Sequence, residues 1–404
     1  MVARARSVQV SRWRRTVATV LTSGVLVLAP LIGVSPAWAH PASPPDAAGA
    51  SCRDSGTTAQ LDSTIDTALR ETGVPGAIVG VWGPQCSYEK AFGVADKATG
   101  AAMRTDFYSR IGSETKTFTV TGVLQLVDDG AVGLDDPIAK YVPGVPEGDR
   151  ITLRELARMQ SGLFNYSEDE DFQRALVTDP YRPFTPHELL SYAFAHPLDF
   201  PPGEGFHYSN TNTVLLGLVI EEVSGLPLHE FLEQRVFQPL ELEDTSFPTD
   251  NAFPEPHPQG YTQQTLDGSE TVATDWNPSW GWSAGAMIST LDDLRTWARA
   301  LATGTLLEPE TQAQRLQTVT PPGFNPAAGY GLGIFDVDGW IGHNGSLPGY
   351  QSLTVHLPQD DLTLVVLLNT DEPVPGSGEP PSSAFGRAIT QVISPDHVFD
   401  ILAS

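Results

Sequence analysis

Apolar residues recur at helical spacing in some parts of the chain and at strand spacing in others. Residues 58–72 and 113–129 carry apolar positions three to four residues apart and are each followed by a glycine, which predicts two helices. Gly76–Trp82 and Tyr88–Val94 are short strand-forming runs on either side of Gly83-Pro84. They predict a β-hairpin.

The middle of the chain is predicted to be mostly helical, and its end returns to strands. The predicted helices are Leu153–Met159, His187–Ala195, Asn212–Val223, a capped helix from Ser289–Asp293 to about Leu301, and Ala384–Ile393. The predicted strands are, in chain order, Gly329–Asp336, a short strand that begins at Trp340, Gly349–His356 and Leu362–Asn369. A turn at Pro358–Asp361 joins the last two.

This order of elements predicts an α/β fold combined with an all-α part. An antiparallel sheet would be built from both chain ends and flanked by helices, and a mostly helical domain would be inserted between them. The predicted boundaries are 52–112 and 273–404 for the discontinuous sheet domain and 113–272 for the helical domain. The Pro- and Ala-rich residues 40–51 are predicted to be a linker.

The first 39 residues have the pattern of a secretory signal peptide. A basic stretch ends at Arg15, the uncharged run 16–34 follows, and Ala37-Trp38-Ala39 forms a small-x-small cleavage site. A membrane anchor is the alternative, but Pro30 and two glycines interrupt the run. We therefore expect a secreted protein that does not remain in the membrane, exported by either the general or the twin-arginine route.

The charge of the chain disfavours nucleic acids and anionic membrane surfaces as partners. Residues 1–39 carry five of the 23 Lys and Arg residues and no acid, so the exported part would hold 18 bases against 49 acids, a formal charge of −31. Such a surface repels nucleic acids and anionic lipid headgroups. Cys52 and Cys86 are the only cysteines. In an exported protein they are expected to form one disulfide, worth about 4 kcal/mol in the chain-entropy model.

Ser113-Glu114-Thr115-Lys116 is the first candidate for chemistry. Residues three apart share one face of a helix, so the Lys116 amine can reach the Ser113 hydroxyl and act as its base. The spacing alone is weak evidence, because Ser87-Tyr88-Glu89-Lys90 has it too. That copy lies in a predicted strand, where residues three apart point to opposite faces.

Two later segments add polar groups to the candidate site. Tyr208-Ser209-Asn210 follows the turn-rich Pro201-Pro202-Gly203, and its phenol and amide could move a proton and orient a carbonyl. His343-Asn344-Gly345 lies on the short strand that begins at Trp340, and the glycine would let substrate approach the backbone.

The three motifs, in this order, resemble those of the serine β-lactamase and penicillin-binding protein superfamily, and most closely the secreted D-alanyl-D-alanine carboxypeptidases. The resemblance covers nearly the whole exported chain and includes Leu134-Asp135-Asp136-Pro137, Ser161-Gly162-Leu163 and Ser283-Ala284-Gly285-Ala286. It implies an acyl-enzyme mechanism that needs no metal or other cofactor. The expected substrates are small peptides, amides or esters, including peptidoglycan stem peptides, and β-lactams are the expected covalent inhibitors of a monomeric enzyme.

The resemblance also implies a role for each site residue. Ser113 is the nucleophile, Lys116 and Tyr208 move the proton, and either of them could be the acylation base. Asn210 and His343 complete the network. The backbone amides of Ser113 and Ser346 would form the oxyanion hole beside Asn344 and Gly345, and Trp280 would form a wall of the cleft. If His343 must be neutral, activity should fall as the pH drops through its pKa, and a flat profile from pH 5 to 8 would contradict that role.

Two departures from the resemblance bear on specificity. The carboxypeptidases hold the substrate's terminal carboxylate with an arginine, and Phe335 stands at that position here. Asn344 and Ser346 replace two threonines of the third motif. The alternatives within the fold are therefore a D-aminopeptidase or amidase, an esterase, or a β-lactamase-like hydrolase. A penicillin-binding sensor without turnover is the alternative from another class.

Two other hydrolase classes are disfavoured. Gly281-Trp282-Ser283-Ala284-Gly285 matches the nucleophile motif of the α/β-hydrolases, but it lacks the strand before the serine and the helix directly after it that this motif requires. Metal-dependent hydrolysis is disfavoured because the nine histidines form no metal-binding motif.

Overall fold

An antiparallel sheet of eight strands forms the centre of the structure, a computed structural model that describes Cys52 and residues 55–402. The strands are β1 (Gly76–Gly83), β2 (Cys86–Asp96), β3 (Ala101–Ala102), β4 (Ser109–Arg110), β5 (Tyr261–Thr262), β6 (Thr271–Val272), β7 (Ile288–Ser289), β8 (Ala328–Tyr330), β9 (Phe335–Val337), β10 (Trp340–Leu347), β11 (Tyr350–Leu357) and β12 (Leu362–Leu368). The order in the main sheet is β3-β2-β1-β12-β11-β10-β9-β8, while β4 pairs with β7 and β5 with β6.

The helices flank this sheet and fill the middle of the chain. They are α1 (Ser55–Thr72), α2 (Thr115–Asp128), α3 (Leu153–Ala157), α4 (Glu170–Thr178), α5 (Pro186–Phe194), α6 (Asn210–Ser224), α7 (Leu228–Leu232), α8 (Gln238–Leu240), α9 (Trp282–Gly285), α10 (Leu291–Thr303), α11 (Pro309–Arg315) and α12 (Pro381–Ile393). In the part of the chain that the structure describes, no helix has the length and apolarity needed to cross a bilayer.

The two ends of the chain meet in the middle of the sheet. Strand β1 pairs with β12 in antiparallel register, with Val79 opposite Val366, and β12 pairs in turn with β11. The prediction of one antiparallel sheet built from both chain ends is therefore confirmed. The predicted signal peptide 1–39 and the predicted linker 40–51 lie outside the described residues, and the boundary at 113–272 between the two parts stays a prediction.

The sheet separates two apolar clusters. On one face, α1 and α12 pack on residues such as Val79, Leu353 and Val366. On the other face, α10 packs on strands β1 and β12, which carry Ile78 and Val365, and α2 packs on β10. This cluster continues into α6 and the other helices of the middle segment. A disulfide between Cys52 and Cys86 ties the chain three residues before α1 to the first residue of β2.

The predicted strand Gly329–Asp336 is wrong in one respect, because it is a hairpin of two short strands, β8 and β9. The turn between them is bound by other elements: the Leu332 amide donates to the Arg315 carbonyl, and the Gly333 amide donates to the Ala157 carbonyl. These tertiary hydrogen bonds turn the backbone through a left-handed Gly333, with a φ of 68°. Local sequence could not show them.

Helix α2 is buried almost all round its circumference, which is typical of a helix at the centre of a protein. Its threonines satisfy their hydroxyls internally; Thr119, for example, donates to the Ser283 carbonyl of α9 at 2.8 Å. Strand β9 pairs with β10 only as far as Gly342, so the rest of β10 leaves this hairpin and lies against the turn that precedes α2. The candidate site forms at that junction.

Candidate active site

The nucleophile candidate Ser113 lies in a short 3-10 turn, Gly112–Glu114, that leads directly into α2. Gly112 has a φ of 51°, a left-handed conformation that glycine adopts without strain. Ser113 is partly exposed, whereas Lys116 is fully buried one turn later. The Lys116 Nζ lies 2.9 Å from the Ser113 Oγ, so the predicted pair is in hydrogen-bonding contact.

The surroundings of Lys116 favour a neutral amine. Its Nζ also lies 2.7 Å from the Asn210 Oδ1 and 2.7 Å from the Ala284 carbonyl oxygen. Both atoms only accept hydrogen bonds, so they take the two N–H groups of a neutral amine and leave its lone pair for the Ser113 hydroxyl. Complete burial lowers the pKa of Lys116 well below its usual value. A neutral lysine in this position can accept the serine proton.

The Tyr208 hydroxyl is buried and makes no hydrogen bond of normal geometry with any described residue. The Lys116 Nζ lies 4.9 Å from the centre of its ring. Burial raises the pKa of Tyr208, and the Ser113 hydroxyl lowers it in part, so the phenol is protonated at neutral pH. An unpaired buried hydroxyl costs stability, and its retention beside the nucleophile is typical of a functional group.

Asn210 is the first residue of α6, and a turn that the sequence did not indicate holds it in place. The Asn165 Oδ1 accepts the Asn210 backbone N–H at 3.1 Å, and the Ser167 Oγ accepts the Asn210 Nδ2–H at 3.0 Å. Because Ser167 engages the amide nitrogen, the amide oxygen is the atom that faces Lys116. The one available signal was position, since both residues follow closely after the family-like Ser161-Gly162-Leu163.

This turn is tied to the loop before Tyr208 by His207. The His207 Nδ1 lies 2.5 Å from an Asp199 oxygen, and its Nε2 lies 3.2 Å from the Glu168 Oε1, which also accepts from the Asn165 Nδ2 at 3.1 Å. Burial alone would lower the pKa of His207, but the two carboxylates outweigh it and the pKa is raised. The histidine therefore links the loop that carries Tyr208 to the turn that holds Asn210.

The structure places His343 at the site but in contact with different partners from those expected. Its Nδ1–H donates to the Asn344 carbonyl, which leaves Nε2 to accept from the Tyr330 hydroxyl at 3.3 Å. Its ring centre lies 6.0 Å from that of Tyr208. Burial lowers the pKa of His343 to about 3. The imidazole is neutral throughout pH 5–8, so a flat profile in that range no longer contradicts a role for it.

The third motif lies directly against the nucleophile's turn. A Cβ placed on Gly112 would lie 2.6 Å from the Ser346 backbone nitrogen, so the Ser346 amide and the Gly112–Ser113 turn are immediate neighbours. Ser346 is exposed and Asn344 half-buried, while Gly345 is buried between them. This arrangement places the Ser346 backbone nitrogen, predicted for the oxyanion hole, beside the turn that carries Ser113.

Trp280 and Phe335 contact different members of this group. Trp280 is half-buried next to the turn that holds Asn210, where its carbonyl accepts from the Tyr166 hydroxyl at 2.6 Å. Phe335 is 6% exposed, and its ring centre lies 4.6 Å from that of His343 and 4.9 Å from that of Tyr330. An uncharged aromatic ring thus occupies the position at which the resemblance would require a guanidinium.

The two serine motifs that compete with Ser113, at Ser87 and at Ser283, have structural rather than catalytic surroundings. Ser87 and Lys90 lie on strand β2, and Lys90 forms an ion pair with Asp62 of α1 at 2.8 Å. Ser283 is completely buried in α9, and its hydroxyl donates to the Thr213 carbonyl at 2.9 Å. Among the described residues, no group of three or more histidine, cysteine or acidic side chains could hold a metal ion.

The sequence matches the beta-lactamase family over residues 61–384. The fold and the site define a serine hydrolase of the β-lactamase and penicillin-binding protein class. The chain belongs to the beta-lactamase family.

Two curated bacterial proteins illustrate this relationship. The chain is 27% identical over 317 residues to PbpX of Bacillus subtilis, named as a penicillin-binding protein, with 77% of this chain and 74% of the relative covered. It is 27% identical over 330 residues to protein flp of Staphylococcus aureus, where 77% of this chain covers 62% of the relative. The chain therefore spans less than two thirds of the flp protein.

Solved structures of amidases are similar over most of their length. A D-stereospecific amidohydrolase from a Streptomyces species superposes with a TM-score of 0.75 at 33% identity, over 83% of this chain and 98% of that one. A D-amino acid amidase from Ochrobactrum anthropi SV3 superposes with a TM-score of 0.74 at 27% identity, over 84% and 99%.

Proposed function

We propose that this protein is an exported amidase that hydrolyses amides of D-amino acids or short D-peptides through an acyl-enzyme on Ser113. The observation that carries the proposal is the Ser113–Lys116 contact at 2.9 Å together with the uncharged Phe335 beside His343. The Ser113–Lys116 pair supports acyl transfer. The aromatic ring favours a substrate whose leaving group carries no carboxylate over a peptide that ends in a free carboxylate. The similarity to D-stereospecific amidases supports the same substrate class.

The proposed reaction assigns each group one step. Ser113 Oγ attacks the amide carbonyl as its proton passes to the neutral Lys116 amine. The oxyanion that forms is stabilised by the backbone amides of Ser113 and Ser346. The protonated Lys116, with the Tyr208 hydroxyl beside it, supplies the proton that the leaving amine takes. Water then attacks the acyl-enzyme on the same carbonyl and releases the free acid.

Phe335 is the basis for preferring an amidase. A carboxylate buried in the leaving-group side of the site needs a charged donor, and an arginine supplies two parallel hydrogen bonds to it. Phe335 offers none, and its ring is packed between His343 and Tyr330. A substrate with a free terminal carboxylate would therefore lose binding energy that an amide does not need.

The direct test is a substrate panel with matched variants. D-phenylalanine amide, L-phenylalanine amide and a D-Ala-D-Ala peptide with either a free or an amidated end would be compared for kcat/KM. We expect preference for the D-amide and for the amidated peptide. Ser113→Ala should lose about 10⁴-fold or more in kcat. Ser87→Ala is the matched control, because it has the same spacing to a lysine on a strand, and it should retain activity.

A D-Ala-D-Ala carboxypeptidase is the second candidate, supported by the likeness to PbpX. It would be favoured if the free carboxylate peptide were the better substrate. A fluorescent penicillin should label the peptide that contains Ser113 in either case. Release of the label within minutes would favour a β-lactamase-like hydrolase, and retention for hours without any amide turnover would favour a penicillin-binding sensor.

Export and assembly are parts of the proposal that need their own measurements. N-terminal sequencing of the protein secreted from its host should begin at His40, after the Ala37-Trp38-Ala39 site. We propose a monomer, although a penicillin-binding protein homologue from Pyrococcus abyssi is described as octameric. Light scattering on the purified protein would give a mass near that of one chain.

A further inference from the structure

Glu114 is an unexplained buried acid directly beside the nucleophile. It lies between Ser113 and α2, is only 1% exposed, and neither carboxyl oxygen has a hydrogen-bond partner of normal geometry among the described residues. In the part of the chain that the structure describes, no lysine, arginine or histidine forms a hydrogen bond or ion pair with Glu114. An ionised carboxylate in this position would strongly destabilise the fold, because burial removes its hydration and no hydrogen bond or ion pair compensates the lost free energy.

The groups that face Glu114 are two hydroxyls on β11, those of Ser352 and Thr354. The Ser352 hydroxyl already donates its proton to the Ile111 carbonyl at 2.9 Å, so its oxygen can only accept a further bond. The Thr354 hydroxyl is itself buried without a partner and is free to donate. The carboxyl between them must therefore donate to one hydroxyl and accept from the other.

Only a protonated carboxyl can do both. A carboxylic acid has one O–H donor and one carbonyl acceptor, whereas a carboxylate has acceptors alone and would face the Ser352 lone pairs. Burial raises the pKa of Glu114 to about 8, and a donated hydrogen bond such as that available from Thr354 lowers it in part. The other titratable groups nearby face elsewhere, since Lys116 is engaged by Asn210 and Ala284 and His343 by Tyr330.

We propose that Glu114 is a positioning residue that works as a neutral carboxylic acid, relaying a directed hydrogen-bond chain from Thr354 through Ser352 to the Ile111 carbonyl. This chain holds the turn that carries Ser113 against strands β10 and β11. The distance between the Ser113 and Ser346 amides therefore depends on the proton of Glu114. Loss of that proton breaks the chain at its middle and places a charge under the nucleophile.

The inference rests on the proposed serine hydrolysis, and the assay uses a substrate that does not itself titrate. Hydrolysis of p-nitrophenyl acetate, after subtraction of the Ser113→Ala rate, would be followed from pH 6 to 10. Wild type should lose about tenfold by one pH unit above a midpoint of about 8. Glu114→Gln keeps a donor and an acceptor, so it should retain most of the pH 7 rate and extend it to high pH.

Two further variants test whether the fall in activity above pH 8, here called the alkaline limb of the pH–rate profile, belongs to Glu114. Thr354→Val removes a donor that lowers the pKa of Glu114, so the midpoint should move to higher pH. Asp293→Asn removes another buried acid with a raised pKa, in α10, and should leave the limb in place. An unchanged limb in Glu114→Gln, or its loss in Asp293→Asn, would overturn the proposal.

A readout without turnover separates this inference from the proposed function. The infrared difference spectrum between pH 7 and pH 10 should show a carboxylic-acid C=O band that is lost on deprotonation in wild type and missing in Glu114→Gln. If that band is the same in both proteins, Glu114 is not the neutral acid, whatever the substrate proves to be. If the band behaves as expected and Ser113→Ala remains active, the assignment of Glu114 stands and the proposed nucleophile fails.

Discussion

Gly345 of β10 packs so closely on the Ile111 carbonyl oxygen that a Cβ on this glycine would lie 1.9 Å from it. The same Cβ would lie 2.6 Å from the Ser352 Oγ. No side chain fits between the third motif and the turn before the nucleophile. The glycine of His343-Asn344-Gly345 is therefore required by the contact of two backbones, and the approach of substrate does not by itself explain it.

Substitution of this glycine should damage the site more than the fold. Gly345→Ala must push the Ser346 amide away from the nucleophile's turn, so we expect more than a tenfold loss of kcat and a destabilisation of about 1–3 kcal/mol. Gly285→Ala is the matched control, since a Cβ there meets only Gly112, at 3.8 Å. Steady-state kinetics and urea unfolding of both variants check the expectation, which equal losses in the two would contradict.

Tyr208→Phe should separate activity from stability. The hydroxyl makes no hydrogen bond of normal geometry to a described residue, so its removal leaves no partner unsatisfied and should leave the unfolding free energy unchanged or raise it by up to about 3 kcal/mol. If the phenol takes part in proton transfer, kcat should fall by about 10²–10⁴-fold. Thermal unfolding together with amide hydrolysis measures both. A large loss of stability with normal activity would assign the hydroxyl a structural role.

His343 should make the fold sensitive to acid while leaving the neutral range unaffected. Its pKa is about 3 in the folded protein and near the usual 6.5 when unfolded. The unfolded chain therefore binds an extra proton below pH 6.5, and stability present above that pH is lost as the pH falls towards 3. The loss reaches at most about 1.4 kcal/mol per pH unit.

Urea unfolding of wild type and His343→Gln between pH 7 and 4 tests this linkage. The variant should show a shallower dependence of its unfolding free energy on pH. Parallel curves for the two proteins would mean that His343 is not buried in its neutral form.

Reduction of the Cys52–Cys86 disulfide should destabilise the protein without affecting the site. The bridge closes a loop of 34 positions that contains α1 and β1, whereas Ser113 and its partners lie outside it. Chain entropy gives about 4 kcal/mol for such a loop. The double variant Cys52→Ala/Cys86→Ala should unfold at lower temperature and retain kcat at 25 °C. A tenfold fall in kcat of the folded variant would contradict this separation.

Much of the fold followed from local patterns. The helix at 58–72, the hairpin at 76–94 and the turn at Pro358–Asp361 appear in the structure close to their predicted bounds, because periodicity and turn residues act over a few positions. Gly329–Asp336 was wrong because its turn is set by hydrogen bonds to Ala157 and Arg315, which are distant along the chain. The sequence pattern of a single segment cannot predict hydrogen bonds to residues that are distant along the chain.

The family, the sheet built from both chain ends and the groups that meet at Ser113 could all be predicted from the sequence, because helical spacing is local and the order of the motifs along the chain is characteristic of the family. Tertiary structure alone decided their chemical state. The lone pair of Lys116 is directed by the Asn210 amide and the Ala284 carbonyl, and burial sets the protonation of Glu114 and His343. Desolvation depends on everything packed around a group, and no short stretch of sequence contains that information.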